Sequence, residues 1–340
     1  MKILVIGDQH FRYELPYASA FDDGRTGEWQ AVKDLIHDEA KTCDAVVLLG
    51  DNFNQRHNHS SVIKEFVEFL NGFGDKEVHI LVGNHERYGS STALDFLNEI
   101  DKQNWFIYNE PTYARVAGLD TVMVPFMTPA LMGVETREEA INKISTVFPQ
   151  KKFPLVFAHH AVSGSKLRSL PVELLNEIVL PGDVLTKHFD HIFAGHVHEP
   201  QNLHPIRMTG NIFTNEVGEH EKFIYTYESN DKGVHIEPVR LPVRGIYKIV
   251  WEELTPKDGI PKKSIVKCYV TSRDTDLEVV KTMLGVFDAS IIVEQYPSER
   301  TKVHFEDGGL DLSVDGLLKL YAEARGLSYE DLKDGYELIK

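Results

Sequence analysis

Cysteine is nearly missing from this chain: Cys43 and Cys268 are the only two in 340 residues, and the first lies just ahead of an apolar run that reads as a buried strand. Two such residues exclude a disulfide framework and favour a reducing compartment. Long apolar runs are missing too, so no membrane span and no membrane partner are expected. The apolar start stops at Ile6, before Gly7-Asp8, which is too short for a signal h-region. The expected location is therefore the cytoplasm, of a host cell if the source is viral. Positive charge is in deficit, with Lys+Arg at 36 against Asp+Glu at 52 and a net charge of −16. A chain of that sign does not hold a polyanion over a broad surface, so nucleic acid has to be met locally or with a partner's help. Internal repeats and low-complexity tracts are also absent.

What is present is a set of four short polar clusters, each placed at the end of an apolar run. Asp8-Gln9-His10 follows Ile3 to Ile6, Gly50-Asp51-Asn52 follows Ala45 to Leu49, Gly83-Asn84-His85-Glu86 follows His79 to Val82, and Gly195-His196-Val197-His198 follows His191 to Ala194. The runs read as buried strands, and strand ends are where open α/β sheets put their chemistry. Residues i and i+2 of an extended segment share a face, which is the spacing of Asp8/His10 and of His196/His198. A fifth run, Pro154 to Ala158, leads straight into His159-His160.

Between these clusters the chain alternates. Residues 11–26 read as a surface loop and Glu28 to Lys41 as a helix with Trp29, Val32, Leu35 and Ile36 on one face. Ser60 or Ser61 is expected to cap a second helix carrying Ile63, Phe66, Val67 and Leu70. Helices are also expected over Ser91 to Ile100, after the Thr136/Glu139 capping box, and over Val172 to Ile178, with a strand over Thr121 to Phe126. Short β-type runs between 206 and 228 suggest an antiparallel sheet of their own. At Leu241-Pro242-Val243-Arg244-Gly245 the composition shifts. The expected organisation is a catalytic domain over 1–240, an α+β unit over 241–308 and a helical tail over 309–340. The α+β unit would hold strands Ile246–Trp251, Ile265–Val270 and Ser290–Tyr296 and a helix Leu277–Phe287, and the tail two helices, Ser313–Arg325 and Ser328–Ile339.

Two divalent cations about 3.5–4 Å apart suit phosphoryl transfer, since together they position and activate a water and neutralise phosphate oxygens. Such a pair needs a bridging carboxylate, and Asp51 is the candidate. Asp8, His10 and His198 would complete one metal site, and Asn84, His159 and His196 the other. An Asn carbonyl with several imidazoles suits Mn first, then Fe or Zn, better than an all-oxygen Mg cage. His85 is the candidate general acid, with Glu86 expected to orient it. Arg56 and His57 are candidates for phosphate contact, although loop residues of this kind are more often simply exposed. His160 is the competing choice to His159.

The order Asp8-x-His10, Gly50-Asp51, Gly83-Asn84-His85-Glu86, His159, Gly195-His196-x-His198 resembles the calcineurin-like metallophosphoesterases over roughly residues 1–228. That resemblance implies an α/β fold with a two-sheet sandwich flanked by helices, a dinuclear centre and phosphoester hydrolysis. Within that superfamily the chain resembles the SbcD-type repair nucleases, the bacterial and phage relatives of the Mre nuclease. It does so through His198-Glu199-Pro200-Gln201, through Gly210, Phe213, Glu219 and Lys222, and through the extra α+β unit where that branch keeps a capping domain. It departs from them in carrying Asn211 where Ser is common and Asn54 where Asp is usual. The resemblance implies a Mn-dependent exo- and endodeoxyribonuclease in repair, recombination or replication. Its implied partners are DNA, a Rad50-like ATPase docked on the C-terminal helices, and a second copy meeting across the Ser60–Phe73 and Ser91–Ile100 helices. A small-molecule phosphodiesterase or phosphatase is the main alternative and accounts better for the acidic charge, with a non-catalytic scaffold third.

Overall fold

The computed structural model describes residues 1–20, 24–89, 91–167, 170–172, 177–253, 260–272, 274–285, 287–295, 319, 328–330 and 333. The first element is β1 (Lys2–Ile6), followed by α1 (Thr26–Ala40), β2 (Ala45–Leu48), α2 (Ser60–Asn71), β3 (Glu77–Leu81) and β4 (Trp105–Tyr108). Next come β5 (Thr112–Val116), β6 (Leu119–Val124), α3 (Arg137–Ser145), β7 (Phe153–Ala158), α4 (Gly182–His188), β8 (Phe189–Ala194), β9 (Gln201–Leu203) and β10 (Ile206–Met208). Two long strands, β11 (Phe223–Asn230) and β12 (Gly233–Arg240), complete the series.

These strands form two six-stranded sheets, ordered β12-β11-β1-β2-β3-β4 and β9-β10-β8-β7-β6-β5. In the first, β1, β2, β3 and β4 run parallel while β11 joins β1 antiparallel; in the second, β6, β7, β8 and β10 run parallel. Parallel strands are buried on both faces, which is why Ile3–Ile6 and Ala45–Leu48 read as unbroken apolar runs. Strand alternation then divides each run. Ile3, Val5, Ala45 and Val47 meet Leu155, Phe157 and Phe193 of the other sheet, while Leu4, Ile6, Val46 and Leu48 pack on α1 and α2 through Val32, Ile36, Phe66 and Leu70. On the outer face of the second sheet Val122, Val156 and Ile192 meet Ala140 and Ile144 of α3 and Leu185 of α4. The result is the helix-flanked two-sheet sandwich.

Several local expectations give way to tertiary context. Helix α3 starts where its capping box puts it, with Thr136 accepting from the Glu139 N–H and Glu139 accepting from the Thr136 N–H. Helix α2 starts one residue earlier than a serine cap allows, so the cap is the His59 ring, whose Nδ1 accepts from the Ser61 N–H at 3.2 Å. The expected helix Ser91–Ile100 is instead a short strand, Ser91–Thr92, and a 3-10 turn, Asp95–Glu99. Asp95 accepts from the backbone N–H and hydroxyl of Thr92, and Thr92 Oγ1 accepts from the Leu94 N–H, a local alternative to the helical ladder. The second helix of the expected dimer face is therefore not present as a helix. The β-type runs between 206 and 228 do not form a sheet of their own: β10 joins β8 and β11 joins β1, one at each sheet.

The chain divides into two compact units. The first is Met1–Tyr247 with Ile260–Val266 and Asp288–Ser290; the second comprises Lys248–Gly259, Lys267–Phe287 and Ile291–Lys340. The break thus falls a few residues beyond the composition shift at 241. Strands Ile246–Val250, Ile265–Val270 and Ser290–Gln295 form a three-stranded sheet, and a helix over Leu277–Leu284 is capped by Asp276. The core of the second unit gathers Cys268, Val270, Val280 and Leu284. Both cysteines are free and buried. The expected helices Ser313–Arg325 and Ser328–Ile339, and most of Val172–Ile178, fall outside the described residues.

Candidate metal centre

Each polar cluster continues a strand of the sandwich. Asp8 and His10 follow β1, Asp51 follows β2, Asn84 and His85 follow β3, His159 follows β7, and His196 and His198 follow β8. The chain ends of parallel strands open on one rim, and there the side chains converge. Asp8, His10 and His198 form one group whose donor atoms all lie within 4.8 Å of one another, and Asp51, His159 and His196 form a second. Asp51 also groups with His10 and His85, so it stands between the two.

Bringing these side chains inward bends the backbone. His10, Asp51 and His196 all have positive φ, at 48°, 47° and 81°, a region that non-glycine residues avoid and that is populated where a functional site over-determines it. Gly83 shows how close the loops come. A Cβ there would sit 2.2 Å from both the backbone nitrogen and Oδ1 of Asp51, so only glycine fits. Lys222 braces the far side, its Nζ donating to the His198 carbonyl at 2.9 Å while pairing with Glu219 at 3.1 Å.

The electrostatics are those of a cation site. Asp8 and Asp51 are 0% and 1% exposed, and among the described residues no Lys or Arg forms an ion pair with either. Buried carboxylates without such partners need another positive charge. Burial pushes the Asp8 carboxyl up, outweighing His159. Burial also opposes charge on Asp51, but His159 and His10 outweigh it and hold that carboxyl below its usual range. Burial acts against protonation of His159 as well, yet Asp51 and Asp8 lift it to about 9. Burial lowers His10 and His198.

Lone pairs converge where these charges meet. His10 Nε2 and His198 Nε2 face each other at 2.9 Å, and His10 Nδ1 has no hydrogen-bond partner. His159 Nδ1 contacts the Leu49 carbonyl at 2.6 Å, so it carries the proton and leaves Nε2 turned to Asn84 at 3.1 Å. His196 Nε2 donates to Glu177 Oε1 at 2.8 Å, leaving Nδ1 turned to Asn84 at 2.9 Å. The imidazole nitrogens, the Asn84 amide and the two carboxylates make a mixed N/O donor set that fits two divalent cations.

The remaining candidates sort by contact. His85 is a partly open member of the cluster, with its side chain 36% exposed against 14% for His196; its backbone N–H donates to Asp51 Oδ1, and its Nδ1 lies 2.6 Å from the Asn54 carbonyl. That carbonyl orients the ring, and Glu86 does not. Glu86 is fully buried and accepts from the backbone N–H groups of Phe53 and Gly83 at 2.8 and 2.7 Å, tying the second and third loops together. Burial, then the charge of Asp51, raises its carboxyl to about 8. His160 faces away from the cluster: its Nε2 accepts from the Met127 N–H and its Nδ1 donates to the Ile178 carbonyl. Burial drops it to about 3. The structure therefore brings His159, and not His160, to the donor groups. Arg56 and His57 are exposed on their loop, with His57 beside Tyr88. Two contributors carried no signal in the sequence, Glu177 because it is one of two acids, with Glu173, in a mainly apolar run that reads as an ordinary helix, and the Asn54 carbonyl because any residue supplies one.

The family model of the calcineurin-like phosphoesterases matches residues 1–200. The chain belongs to that family. Among solved structures it is similar to a novel archaeal phosphodiesterase, at 13% identity with a TM-score of 0.34, over 70% of this chain and 100% of that one. It is also similar to a conserved uncharacterised protein of Streptococcus pneumoniae TIGR4, a predicted phosphoesterase, at 9% identity with a TM-score of 0.28, over 70% of this chain and 97% of that one. No curated protein matches the sequence. A metal-dependent phosphoesterase of this family accounts for the buried His/Asp groups.

Proposed function

We propose that the chain is a DNA phosphodiester hydrolase, the nuclease subunit that works beside a Rad50-like ATPase. The observation that carries the hydrolytic reading is the pair of buried donor groups sharing Asp51, with the half-open His85 at their edge. Asp8, His10 and His198 would hold one cation and Asn84, His159 and His196 the other, with Asp51 between them. Bound there, two divalent ions, Mn by preference, supply charge neutralisation and activation of a water.

The chain's own residues do the rest. The closed walls around Asp8 and Asp51 leave the His85 side for the phosphate to enter. The Asn54 carbonyl takes the Nδ1 proton of His85 as a hydrogen bond, which leaves Nε2 facing that side. In the hydrolysis a water oxygen bonds to phosphorus and gives up a proton to solvent, the ester P–O bond breaks, and the leaving oxygen takes a proton from His85 Nε2, which solvent then restores. The products are a phosphomonoester and a hydroxyl.

DNA as the substrate is supported by the sequence features shared with the SbcD-type nucleases and by the 140 residues beyond the family match. Partners follow from the same reading: the ATPase, which supplies positive surface that a chain of net charge −16 lacks, and a second copy. The test is release of nucleotides from end-labelled duplex and single-stranded DNA with Mn or with chelator, comparing wild type, His85→Ala and Asp51→Ala. Mn-dependent loss of label only in the wild type supports the assignment. Hydrolysis of a small chromogenic phosphodiester with no action on any DNA would replace it with the small-molecule reading that the acidic charge favours.

A further inference from the structure

Away from the metal groups, and wholly within the first unit, lies a cavity of about 610 Å³ whose lining runs against the charge of the whole chain. Four cations, Arg240, Arg244, Lys262 and Lys263, face only two carboxylates, Glu28 and Glu221, on a protein of net charge −16. Both carboxylates are already engaged. Glu28 is buried against Arg25, accepts from the Arg244 N–H at 3.1 Å and lies 3.6 Å from Arg244 Nε. Glu221 pairs with Arg240 at 3.1 Å, both more than half exposed, which makes that pair weak. Lys262 and Lys263 are exposed and make no ion pair among the described residues. The Lys263 backbone is held in place, with φ at 62° and its N–H donating to the Asp288 carbonyl.

The same cavity carries an aromatic wall. His220 stacks on Tyr247 at 4.3 Å and 13°, and the Tyr247 ring is packed against Gly245, where a Cβ would come within 2.8 Å of it. Tyr247 is thus fixed between Gly245 and His220, and His220 is itself exposed, with Tyr247 against one of its ring faces. Unpaired lysines beside a flat ring are the two parts of a single-strand platform: cations track the backbone and the ring stacks a base. The volume suits a ligand of nucleotide size.

We propose that this cavity binds a nucleic-acid strand, with phosphates on Lys262, Lys263, Arg240 and Arg244 and one base on the ring of His220. This deepens the nuclease reading and rests on it, since it names where an acidic chain grips DNA outside the metal groups. The experiment is fluorescence anisotropy of a labelled 15-nucleotide oligothymidine with the full chain in chelator, so that binding is read without cleavage. Salt is varied from 50 to 200 mM, and thymidine monophosphate is the competitor. Three variants are compared with wild type: Lys262→Ala with Lys263→Ala, His220→Ala, and a control, Lys41→Ala with Lys64→Ala, which removes the same charge from exposed positions just after α1 and on α2.

The expected result is at least a tenfold loss for the Lys262/Lys263 pair, with the salt slope lower by about 1.4, two single-strand phosphate contacts. His220→Ala should lose about 5- to 150-fold with the slope unchanged, and the control should match wild type. Equal losses in the control, unchanged binding in the Lys262/Lys263 pair, or no binding by wild type at 50 mM salt would overturn the proposal. Thymidine monophosphate binding as tightly as the strand would also overturn it, leaving a mononucleotide pocket. The outcome is separable from the nuclease reading: specific binding here with no Mn-dependent cleavage anywhere sinks only the nuclease, and cleavage with unaltered binding sinks only the cavity.

Discussion

Glu177 Oε1 accepts from His196 Nε2 at 2.8 Å, and that bond sets which imidazole nitrogen of His196 faces Asn84 and the donor groups. Carboxylates in this position fix ring orientation and raise the basicity of the inward nitrogen. Glu177→Gln should therefore weaken the cation held by His196 about 10- to 100-fold, the range found for such partners. Calorimetric titration of the metal-free protein with Mn separates a weakened site from a lost one. Unchanged affinity at both sites would show that Glu177 only lines the rim.

His85 predicts a different pattern. Its ring is partly open, its backbone N–H bonds Asp51 and its Nε2 lies 3.9 Å from Asp51 Oδ2, so His85→Ala removes a proton donor and leaves the Asp8/His10/His198 and Asp51/His159/His196 groups intact. Turnover should fall about 10²- to 10⁴-fold with two Mn still bound per chain. Loss of metal together with activity would make His85 a structural member of the cluster.

Gly83→Ala should act through Asp51. The added Cβ would overlap both the backbone nitrogen and Oδ1 of Asp51 at 2.2 Å, and the neighbour is backbone, which cannot swing aside. The expected result is loss of at least one bound cation and a lower melting temperature, read by metal analysis and calorimetry. Gly74→Ala is the contrast. Nothing lies within 4 Å of its Cβ position, so its cost is only the strain of φ 65° and metal binding stays whole.

Metal binding should release protons. His159, lifted to about 9 by the buried aspartates despite burial itself, is protonated at pH 7.5 in the metal-free protein, and its Nε2 must lose that proton to bind a cation. Mn affinity should thus rise with pH up to about 9 and level off above it. Titrations in buffers of different ionisation enthalpy report the proton count, and a count of zero at pH 7.5 would contradict this. The same shift has a consequence for folding. Because the folded pKa lies above the unfolded value of about 6.5, the stabilisation from the protonated ring is complete below 6.5 and is lost as pH rises through 9.

How far the sequence could be read depended on range. The strand runs ending in Asp8, Asp51, Asn84, His159 and His196 were legible because parallel strands buried on both faces leave uninterrupted apolar residues followed by an abrupt polar cluster. The α3 capping box was legible because both of its partners lie within four residues. Strand β12 was not, since its edge position leaves nearly every side chain exposed and erases the alternation. Neither was the Thr92/Asp95 turn, where local side-chain bonds win over an apolar pattern that otherwise suits a helix.

By itself the sequence determined the identity and order of the clustered residues, the buried runs that carry them and the overall acidity, since each is a property of neighbouring positions or of a sum over the chain. Only the tertiary structure decided that Asp51 stands between the two donor groups, that His159 turns inward while His160 bonds backbone, and that Glu86 ties loops while Glu177 holds His196. Those outcomes turn on distances between side chains up to nearly 190 positions apart, as between His10 and His198. Such distances are set by how two sheets pack face to face, and no local pattern of residues encodes them.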